Sequence, residues 1–297
     1  MAKTAFLFSG QGAQFSGMGS DLYKSSDEAK KIYDFADSLT DGRISKVSFD
    51  GSEDDLKLTI NTQPCILTYE AVLLALAEKA QFKVDMTAGF SLGEYGAMIC
   101  AKVLSFQDAL TLIIKRANFM NEVANEKSGK MAAVIGAENQ ELIQICSEIP
   151  GYVEPVNFNC PGQTVIAGDS DSVEQAIEVL TSKGCRCVLL SVNGAFHSKH
   201  MIGAADKFRV AVADQSFGKP QIPLVSNVSA KPEDDFKTLA PEQMCSPVLW
   251  EKSIRYMIDA GVKTFVEVGP GNVMCGFMKK IDRTLECNHI INLLDKR

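Results

Sequence analysis

The pentapeptide Gly89-Phe90-Ser91-Leu92-Gly93 constrains the fold of this chain more than any other stretch. It follows a short apolar run and precedes a helix-compatible segment, and G-x-S-x-G between a strand and a helix is typical of a nucleophile elbow. In that turn the serine is strained, and the two glycines let strand and helix pass closely because they lack a Cβ atom. The hydroxyl is then lifted into a cleft, where it can attack a carbonyl. Five residues alone leave a plain strand-to-helix turn as the alternative.

A nucleophilic Ser91 requires donors for the oxyanion that forms beside it. The backbone N–H of Leu92, in the first turn of the following helix, would point toward that charge. A second glycine-rich loop, from Ser9 to Gln14, follows an apolar strand predicted at Thr4 to Phe8. Its free N–H groups can hold an anion, or the loop can simply turn.

Charge and hydropathy exclude several classes of function. The formal net charge of −7 argues against broad nucleic-acid binding, which needs a basic footprint, so an anionic ligand must be held by local cations. No apolar run reaches the eighteen or so residues of a membrane helix, which predicts no membrane partner. The first residues, Met1 to Thr4, lead into a strand-like segment without a signal-peptide pattern, so we expect a cytoplasmic protein. We separately expect a monomer.

The cysteines and histidines do not form a convincing metal or disulfide pattern. Nine cysteines lack the paired spacing of a disulfide framework or zinc site. Cys185 and Cys187 lie in an apolar strand-like run, which favours two reduced core thiols over a ligand pair. His197 and His200 have a spacing that can suggest metal, but no carboxylate or thiol motif completes such a site. We therefore predict no metal.

Periodicity predicts helices around the elbow. The stretch from Asp21 to Leu39 is amphipathic and broken near Ser25, and the following segment to Asn61 looks irregular. Thr62 resembles an N-cap, with Pro64 just after it, of a strongly periodic helix that should pack beneath the elbow.

A further helix should carry Arg116. Ser105 and Asp108 have the form of a capping box at its start, and Arg116 falls among apolar neighbours. A lone arginine on a helix is often solvated or salt-bridged, and that alternative stays open at this point.

A separate unit begins after Glu126. Strands are predicted at 131–135, 153–158, 164–167 and 187–191, with helices between, in the order βαββαβ. This is the split-βαβ, ferredoxin-like pattern, apparently inserted into a larger unit. We predict an α/β fold: a large subdomain in two parts, 1–126 and 196–297, and a small subdomain at 127–195.

After this unit, the chain supplies further pieces of a site. His197 lies at the junction, a strand at 222–226 ends at Asn227, and Phe265 to Val268 leads into a helix predicted to carry Lys279, Lys280 and Arg283, before a closing strand near Ile290. In a mainly parallel sheet, ligands bind at the carboxyl ends of the strands. A serine, a candidate histidine and a candidate oxyanion loop there make acyl transfer or hydrolysis the first hypothesis.

These motifs, in their order and spacing, resemble the malonyl-CoA:acyl carrier protein transacylase family over essentially the whole chain. The residues that carry the resemblance are Gly10-Gln11-Gly12-Ala13-Gln14, the elbow with Glu94-Tyr95, Arg116, Pro155 to Gln163, Ala195-Phe196-His197-Ser198, Val225-Ser226-Asn227 and Glu267 to Gly271. The resemblance implies an α/β-hydrolase-like large subdomain with an inserted ferredoxin-like small subdomain.

The resemblance also implies roles. Ser91 is the nucleophile and His197 its base, and backbone N–H groups of Gln11 and Leu92 form the oxyanion hole. Arg116 holds the free carboxylate of the malonyl group by a two-pronged pair. Malonyl-CoA is the substrate, no cofactor is permanently bound, and the acceptor is the phosphopantetheine thiol of acyl carrier protein in a ping-pong cycle of fatty-acid biosynthesis.

Two residues depart from the family pattern. Phe90 stands where histidine is common, which bears on selectivity, and Leu249 stands where many relatives have a polar residue. In the family a backbone carbonyl in the region of Ser246 to Leu249 orients the histidine, so a Ser–His dyad is expected without a triad acid. Phe196 matches malonyl-selective relatives. Further candidates for contacts with CoA or the acyl group are Phe90, Asn157, Asn159, Gln163, Phe196 and Asn227.

Three other functions are weighed against malonyl transfer. A trans-acting acyltransferase of a polyketide synthase would share the chemistry and use another carrier protein. An acyl-carrier-protein hydrolase would use water as acceptor and would not need Arg116. A non-catalytic binding module predicts loss of Ser91 or His197, and both are present.

Overall fold

The computed structural model describes residues 3–296, so Met1, Ala2 and Arg297, at the two ends of the predicted large subdomain, lie outside the described residues. The strands in this range are β1 (Lys3–Phe8), β2 (Met86–Gly89), β3 (Lys130–Ile135), β4 (Val153–Cys160), β5 (Gln163–Gly168), β6 (Arg186–Leu189), β7 (Leu224–Val225), β8 (Val262–Val268) and β9 (Glu286–His289). The helices are α1 (Ser20–Ser25), α2 (Asp27–Ser38), α3 (Arg43–Asp50), α4 (Glu53–Lys57), α5 (Thr59–Lys79), α6 (Gly93–Cys100), α7 (Phe106–Glu126), α8 (Asn139–Glu148), α9 (Ser170–Ser182), α10 (Ile202–Ala213), α11 (Phe236–Gln243), α12 (Trp250–Asp259), α13 (Val273–Ile281) and α14 (Ile290–Leu294), with a 3-10 turn at Lys199–Met201.

The larger sheet is parallel, with strand order β7-β2-β1-β8-β9. Its central strand β1 is buried on both faces: Phe6 and Phe8 pack with α5, α6 and α7, and Ala5 and Leu7 pack with α12 and α13. Helices on both sides are what a parallel sheet requires. Phe8 is in register with both Gly89 and Val268, so the loops after β1, β2 and β8 leave the sheet at the same edge.

The smaller sheet is antiparallel, with strand order β4-β5-β3-β6, and its strands lie between Lys130 and Leu189. Helices α8 and α9 cover one face around Leu142, Val173 and Leu180. Backbone hydrogen bonds between Val248 and strand β4 join this sheet to the larger unit.

Three sequence predictions were wrong in detail. The segment before Asn61 is helical rather than irregular, since it contains α3 and α4, and the capping box at Ser52 that starts α4 is visible in the sequence. Helix α5 begins at Thr59, because the carbonyl of Leu58 already accepts the backbone N–H of Thr62. The Thr62 hydroxyl donates to that carbonyl, so it does not cap.

The third error concerns the cysteines. Cys275 on α13 and Cys287 on β9 form a disulfide with Cα atoms 5.3 Å apart, a pairing that their spacing in sequence did not suggest. Cys185 and Cys187 are free thiols at partly buried positions. Among the described residues, no helix is long and apolar enough to span a bilayer.

Candidate active site

The elbow has the strained geometry that its sequence predicts. Ser91 connects β2 to α6 with φ at 53°, in the left-handed region that a non-glycine residue rarely adopts. A Cβ atom at Gly89 would lie 1.9 Å from the carbonyl oxygen of Gly93, and one at Gly93 would lie 2.4 Å from that of Ser9. Only glycine fits at either position, and the close packing fixes the serine at the edge of the sheet.

His197 lies against the serine as a base would. Its Nε2 is 2.7 Å from Ser91 Oγ, and its Nδ1 is 2.9 Å from the main-chain oxygen of Gln243. Since a carbonyl only accepts, Nδ1 carries the proton and Nε2 is free to accept from the serine hydroxyl. Burial, followed by repulsion from Arg116, lowers the pKa of His197 to about 4. The imidazole is therefore neutral at pH 7.

The carbonyl closest to His197 Nδ1, that of Gln243, lies just before the expected region, while a backbone interaction with Ser246, inside that region, also favours the protonated ring. The Leu249 oxygen accepts the Ser253 hydroxyl and backbone N–H, because it starts helix α12. Gln243, at the end of α11, orients the imidazole, and the N–H of His197 also donates to the neighbouring Met244 oxygen at 3.2 Å.

Arg116 is a buried component of the same site. Only 1% of the residue is exposed, so the solvated alternative is wrong. Nη1 donates to Gln63 Oε1 at 2.6 Å, and Nη2 donates to Gln243 Oε1 at 2.8 Å and to Ser91 Oγ at 3.2 Å. Within residues 3–296, Arg116 Nε has no hydrogen-bond partner and no carboxylate pairs with the guanidinium. Burial lowers the pKa of Arg116 from its usual value.

These groups surround one cavity of about 190 Å³. Of the residues predicted to form the site, those lining it are Gln11, Phe90, Ser91, Leu92, Arg116, Asn157, Asn159, Gln163, Phe196 and His197. The Asn159 Oδ1 atom is buried and has no partner within residues 3–296, so it is open to a ligand donor. The walls are otherwise largely apolar. Phe90, on one of these walls, packs edge-on against Trp250, with ring centroids 5.5 Å apart.

Asn227 is the one predicted contact residue that does not line this cavity. It is fully buried, and its Oδ1 accepts the backbone N–H of Ser91 at 2.8 Å while its Nδ2 donates to Gly89 O at 2.7 Å. Both ends of its amide are thus occupied by the elbow. The structure assigns Asn227 to support of the strained turn in place of a substrate contact.

His200 lies outside the cavity, which favours His197 as the base. Its Nε2 is 2.9 Å from Asp169 Oδ1, and its ring packs against Tyr152.

Three residues that hold the site together were not predicted to do so from the sequence. Gln63 and Gln243 were missed altogether, and Glu94 was noted only as part of the motif. The Gln243 side chain donates to the main-chain oxygen of Ser91 at 2.8 Å and to Glu94 Oε2 at 2.9 Å, in addition to accepting from Arg116. Glu94 directly follows the elbow and could have been suspected from its place in the motif. Gln63 and Gln243 carry no local signal.

Comparison with known proteins gives the same family throughout. The model of the acyl transferase domain matches residues 5–289. The malonyl CoA-acyl carrier protein transacylase of Bacillus subtilis is 41% identical, covering 96% of this chain and 92% of that protein, and the one of Staphylococcus aureus is 37% identical, covering 99% and 97%.

Solved structures agree with the sequence relatives. A malonyl-transacylase in complex with its type II PKS acyl-carrier protein superposes with a TM-score of 0.95 at 32% identity, over 100% of both chains. The transacylase of Streptococcus pneumoniae gives a TM-score of 0.93 at 38% identity, over 99% of this chain and 100% of that one. The chain belongs to the acyl transferase family, the family of the malonyl CoA-acyl carrier protein transacylases.

Proposed function

We propose that this protein transfers the malonyl group of malonyl-CoA to the phosphopantetheine thiol of an acyl carrier protein, through a malonyl ester on Ser91, in fatty-acid biosynthesis. One observation carries the proposal: Ser91 Oγ lies 2.7 Å from a neutral histidine nitrogen and 3.2 Å from a buried guanidinium nitrogen. A base and a cation thus meet at one hydroxyl. The names of the relatives give the same activity.

In the first half-reaction, the Ser91 oxygen attacks the thioester carbon of malonyl-CoA while His197 Nε2 takes the hydroxyl proton. Backbone N–H groups of Gln11 and Leu92, both on the cavity wall, stabilise the oxyanion. The carbon–sulfur bond then breaks, and His197 returns the proton to the CoA sulfur. CoA leaves as a thiol, and malonyl remains as an ester.

The second half-reaction reverses these roles. His197 takes the proton of the carrier thiol, the sulfur attacks the ester carbon, and the proton returns to Ser91 as malonyl leaves on the carrier. No step calls for a metal or a bound cofactor, and the absence of a resident cofactor stays a prediction. A monomeric state and a cytoplasmic location also stay predictions.

Arg116 selects the malonyl group. A carboxylate loses water on entering a largely apolar cavity and needs a matching cation there. The unpartnered Nε and the Nη2 that reaches Ser91 are the donors we assign to this carboxylate, because each gains or exchanges a partner when the serine is acylated. A hydrolase for simple acyl groups would have no use for this buried charge.

The surface that binds the acyl carrier protein is expected beside the cavity. Lys280 donates to Gln163 Oε1 at 2.8 Å, and Gln163 lines the cavity, which places one cation near its wall. Lys279 is exposed on the same helix, and Arg283 is exposed but lies beyond the end of α13, contrary to the predicted helix length. Carrier proteins are generally acidic, so these cations suit the partner.

The finer fold assignment belongs to the proposal. A strand order of β4-β5-β3-β6 with two helices on one face supports a ferredoxin-like small subdomain at 127–195, and the elbow supports an α/β-hydrolase-like large subdomain formed by 1–126 and 196–297.

A two-stage assay tests the function. The protein is incubated with malonyl-CoA, freed of nucleotide by gel filtration, and then given holo acyl carrier protein. Malonyl-carrier should form only in the second stage. The alternative is that the acceptor is the carrier protein of a polyketide synthase. It predicts faster malonyl transfer to a carrier of that class, such as the type II PKS acyl-carrier protein of the related transacylase complex. Release of free malonate in the second stage, with no malonyl-carrier formed, would contradict the proposal.

A further inference from the structure

Glu94 is a fully buried carboxylate that takes no part in the proton transfers of the two half-reactions. Its Oε1 accepts the backbone N–H of Asn227 at 2.7 Å, and its Oε2 accepts Gln243 Nε2 at 2.9 Å. It therefore contacts both residues that support the elbow from distant parts of the chain.

The orientation of the Gln243 amide decides whether Arg116 and the main-chain oxygen of Ser91 each face a hydrogen-bond donor or an acceptor. In the observed orientation its oxygen accepts from Arg116 Nη2, and its nitrogen donates to the main-chain oxygen of Ser91. If the amide were flipped, two donors would face each other at Arg116 and two acceptors at Ser91. An ionised carboxylate has only acceptors, so it favours the observed orientation.

We propose that Glu94 is a positioning residue whose acceptor-only carboxylate holds the Gln243 amide in the orientation that presents Arg116 to the malonyl carboxylate. The inference rests on the proposed function, in which Arg116 binds that carboxylate. Glu94 also supplies a negative charge near the Arg116 guanidinium, and the Gln243 amide lies between the two and is hydrogen-bonded to both.

Ionisation of Glu94 is part of this role. Burial raises its pKa to about 7, partly offset by hydrogen bonds from Asn227 and Gln243 and by the charge of Arg116. Glu94 in turn acts on Tyr95 of the same helix, whose pKa is raised first by burial and further by the Glu94 charge, so Tyr95 stays neutral. Arg116 approaches from α7.

The test compares Glu94→Gln with Glu70→Gln by measuring kcat/KM for malonyl-CoA and acetyl-CoA from CoA release. The glutamine amide at 94 places a donor against Gln243 Nε2 or the Asn227 N–H, so we expect malonyl transfer to fall about 10- to 100-fold, the cost of one hydrogen bond to a charged group. Acetyl transfer should fall much less, because it does not use Arg116. Glu70, a second fully buried carboxyl on α5 outside this network, is the matched control and should leave both rates unchanged.

A double variant tests the route through Gln243. Gln243→Met removes the amide but keeps the main-chain carbonyl that orients His197. If Glu94 acts through that amide, Glu94→Gln added to Gln243→Met should cost no more than about a further twofold. Additive losses, or equal losses for malonyl and acetyl, would overturn the proposal.

Should Glu94→Gln fail to fold, the wild-type protein decides. Its malonyl-to-acetyl ratio should decline as pH falls below about 7, whereas a ratio that is flat down to pH 5 would overturn the proposal. Failure of the proposed function is distinguishable: a wild type that shows no preference for malonyl refutes the role of Arg116. Non-additive effects of Glu94→Gln and Gln243→Met on the free energy of unfolding would still show coupling between these two residues.

Discussion

Arg116→Ala separates a malonyl transferase from a general acyl enzyme. Malonyl and acetyl thioesters differ by one carboxylate, and Arg116 is the buried cation nearest the nucleophile, 3.2 Å from Ser91 Oγ. Two charge-assisted hydrogen bonds to that carboxylate are worth roughly 3–6 kcal/mol together, or about 10²- to 10⁴-fold in rate. We expect kcat/KM for malonyl-CoA to fall by that factor, and kcat/KM for acetyl-CoA to stay the same or rise.

Arg116→Lys is the matched control, since it keeps the charge and loses the fork. Lysine should recover only part of the malonyl activity, because its single ammonium cannot form the two-pronged pair. Thermal unfolding of both variants checks the fold, since Gln63 and Gln243 each lose a donor from Arg116. Equal losses for the malonyl and acetyl substrates would show that Arg116 supports the structure or binds CoA, and would refute its assignment to the carboxylate.

The other predictions concern the base, the pH dependence of stability and carrier docking. His197→Ala should slow formation of the acyl-enzyme by a factor on the order of a hundred or more, while His200→Ala, outside the cavity, should not; the reverse result in stopped-flow measurements would mean that the wrong histidine was chosen. Burial raises the pKa of Glu94 from 4.5 to about 7, so the folded chain keeps a proton that the unfolded chain releases, and its contribution to stability falls as pH rises through that range. Urea unfolding of Glu94→Gln from pH 4.5 to 7 should lack this fall; a slope equal to that of wild type would contradict it. Lys280→Glu should slow the second half-reaction and weaken its salt dependence. Lys83 precedes β2 at the opposite edge of the sheet, so Lys83→Glu should change neither quantity. If Lys280→Glu leaves both the rate and its salt dependence unchanged, Lys280 is excluded from carrier docking.

A local pattern predicted the elbow, and the family resemblance predicted the residues beside it. Gly89 is required by backbone contacts with Gly93 and Glu94 inside the elbow, whereas Gly93 is required by the backbone of Phe8 and Ser9, so only part of the pattern is local. His197 and Arg116 were identified through the family resemblance, and the structure places both within hydrogen-bond distance of Ser91 Oγ.

The supporting residues could not be predicted because their contacts are remote in sequence. Gln243 reaches Ser91 across 152 positions and Asn227 reaches it across 136. No periodicity or motif marks such a contact, and a buried amide looks like any other polar residue until the fold brings its partners together. Asn227 was accordingly expected to contact substrate.

Errors in the fold have a similar origin. Thr62 and Pro64 form a plausible helix start in isolation, yet the chain already turns at Leu58, where packing of α3 and α4 against α5 extends the helix toward its N-terminus. Cys275 and Cys287 are brought together by the pairing of β9 with β8, which spacing alone does not reveal.

Intact-mass spectrometry of the protein after brief incubation with malonyl-CoA tests whether Ser91 carries the malonyl group. We expect one malonyl adduct per chain, located on Ser91 by peptide mapping, absent from Ser91→Ala, and discharged when holo acyl carrier protein is added. The variant should keep its fold, since alanine removes one oxygen from a turn whose glycines remain. An adduct of equal yield on Ser91→Ala, or a wild-type adduct on another residue, would contradict the mechanism.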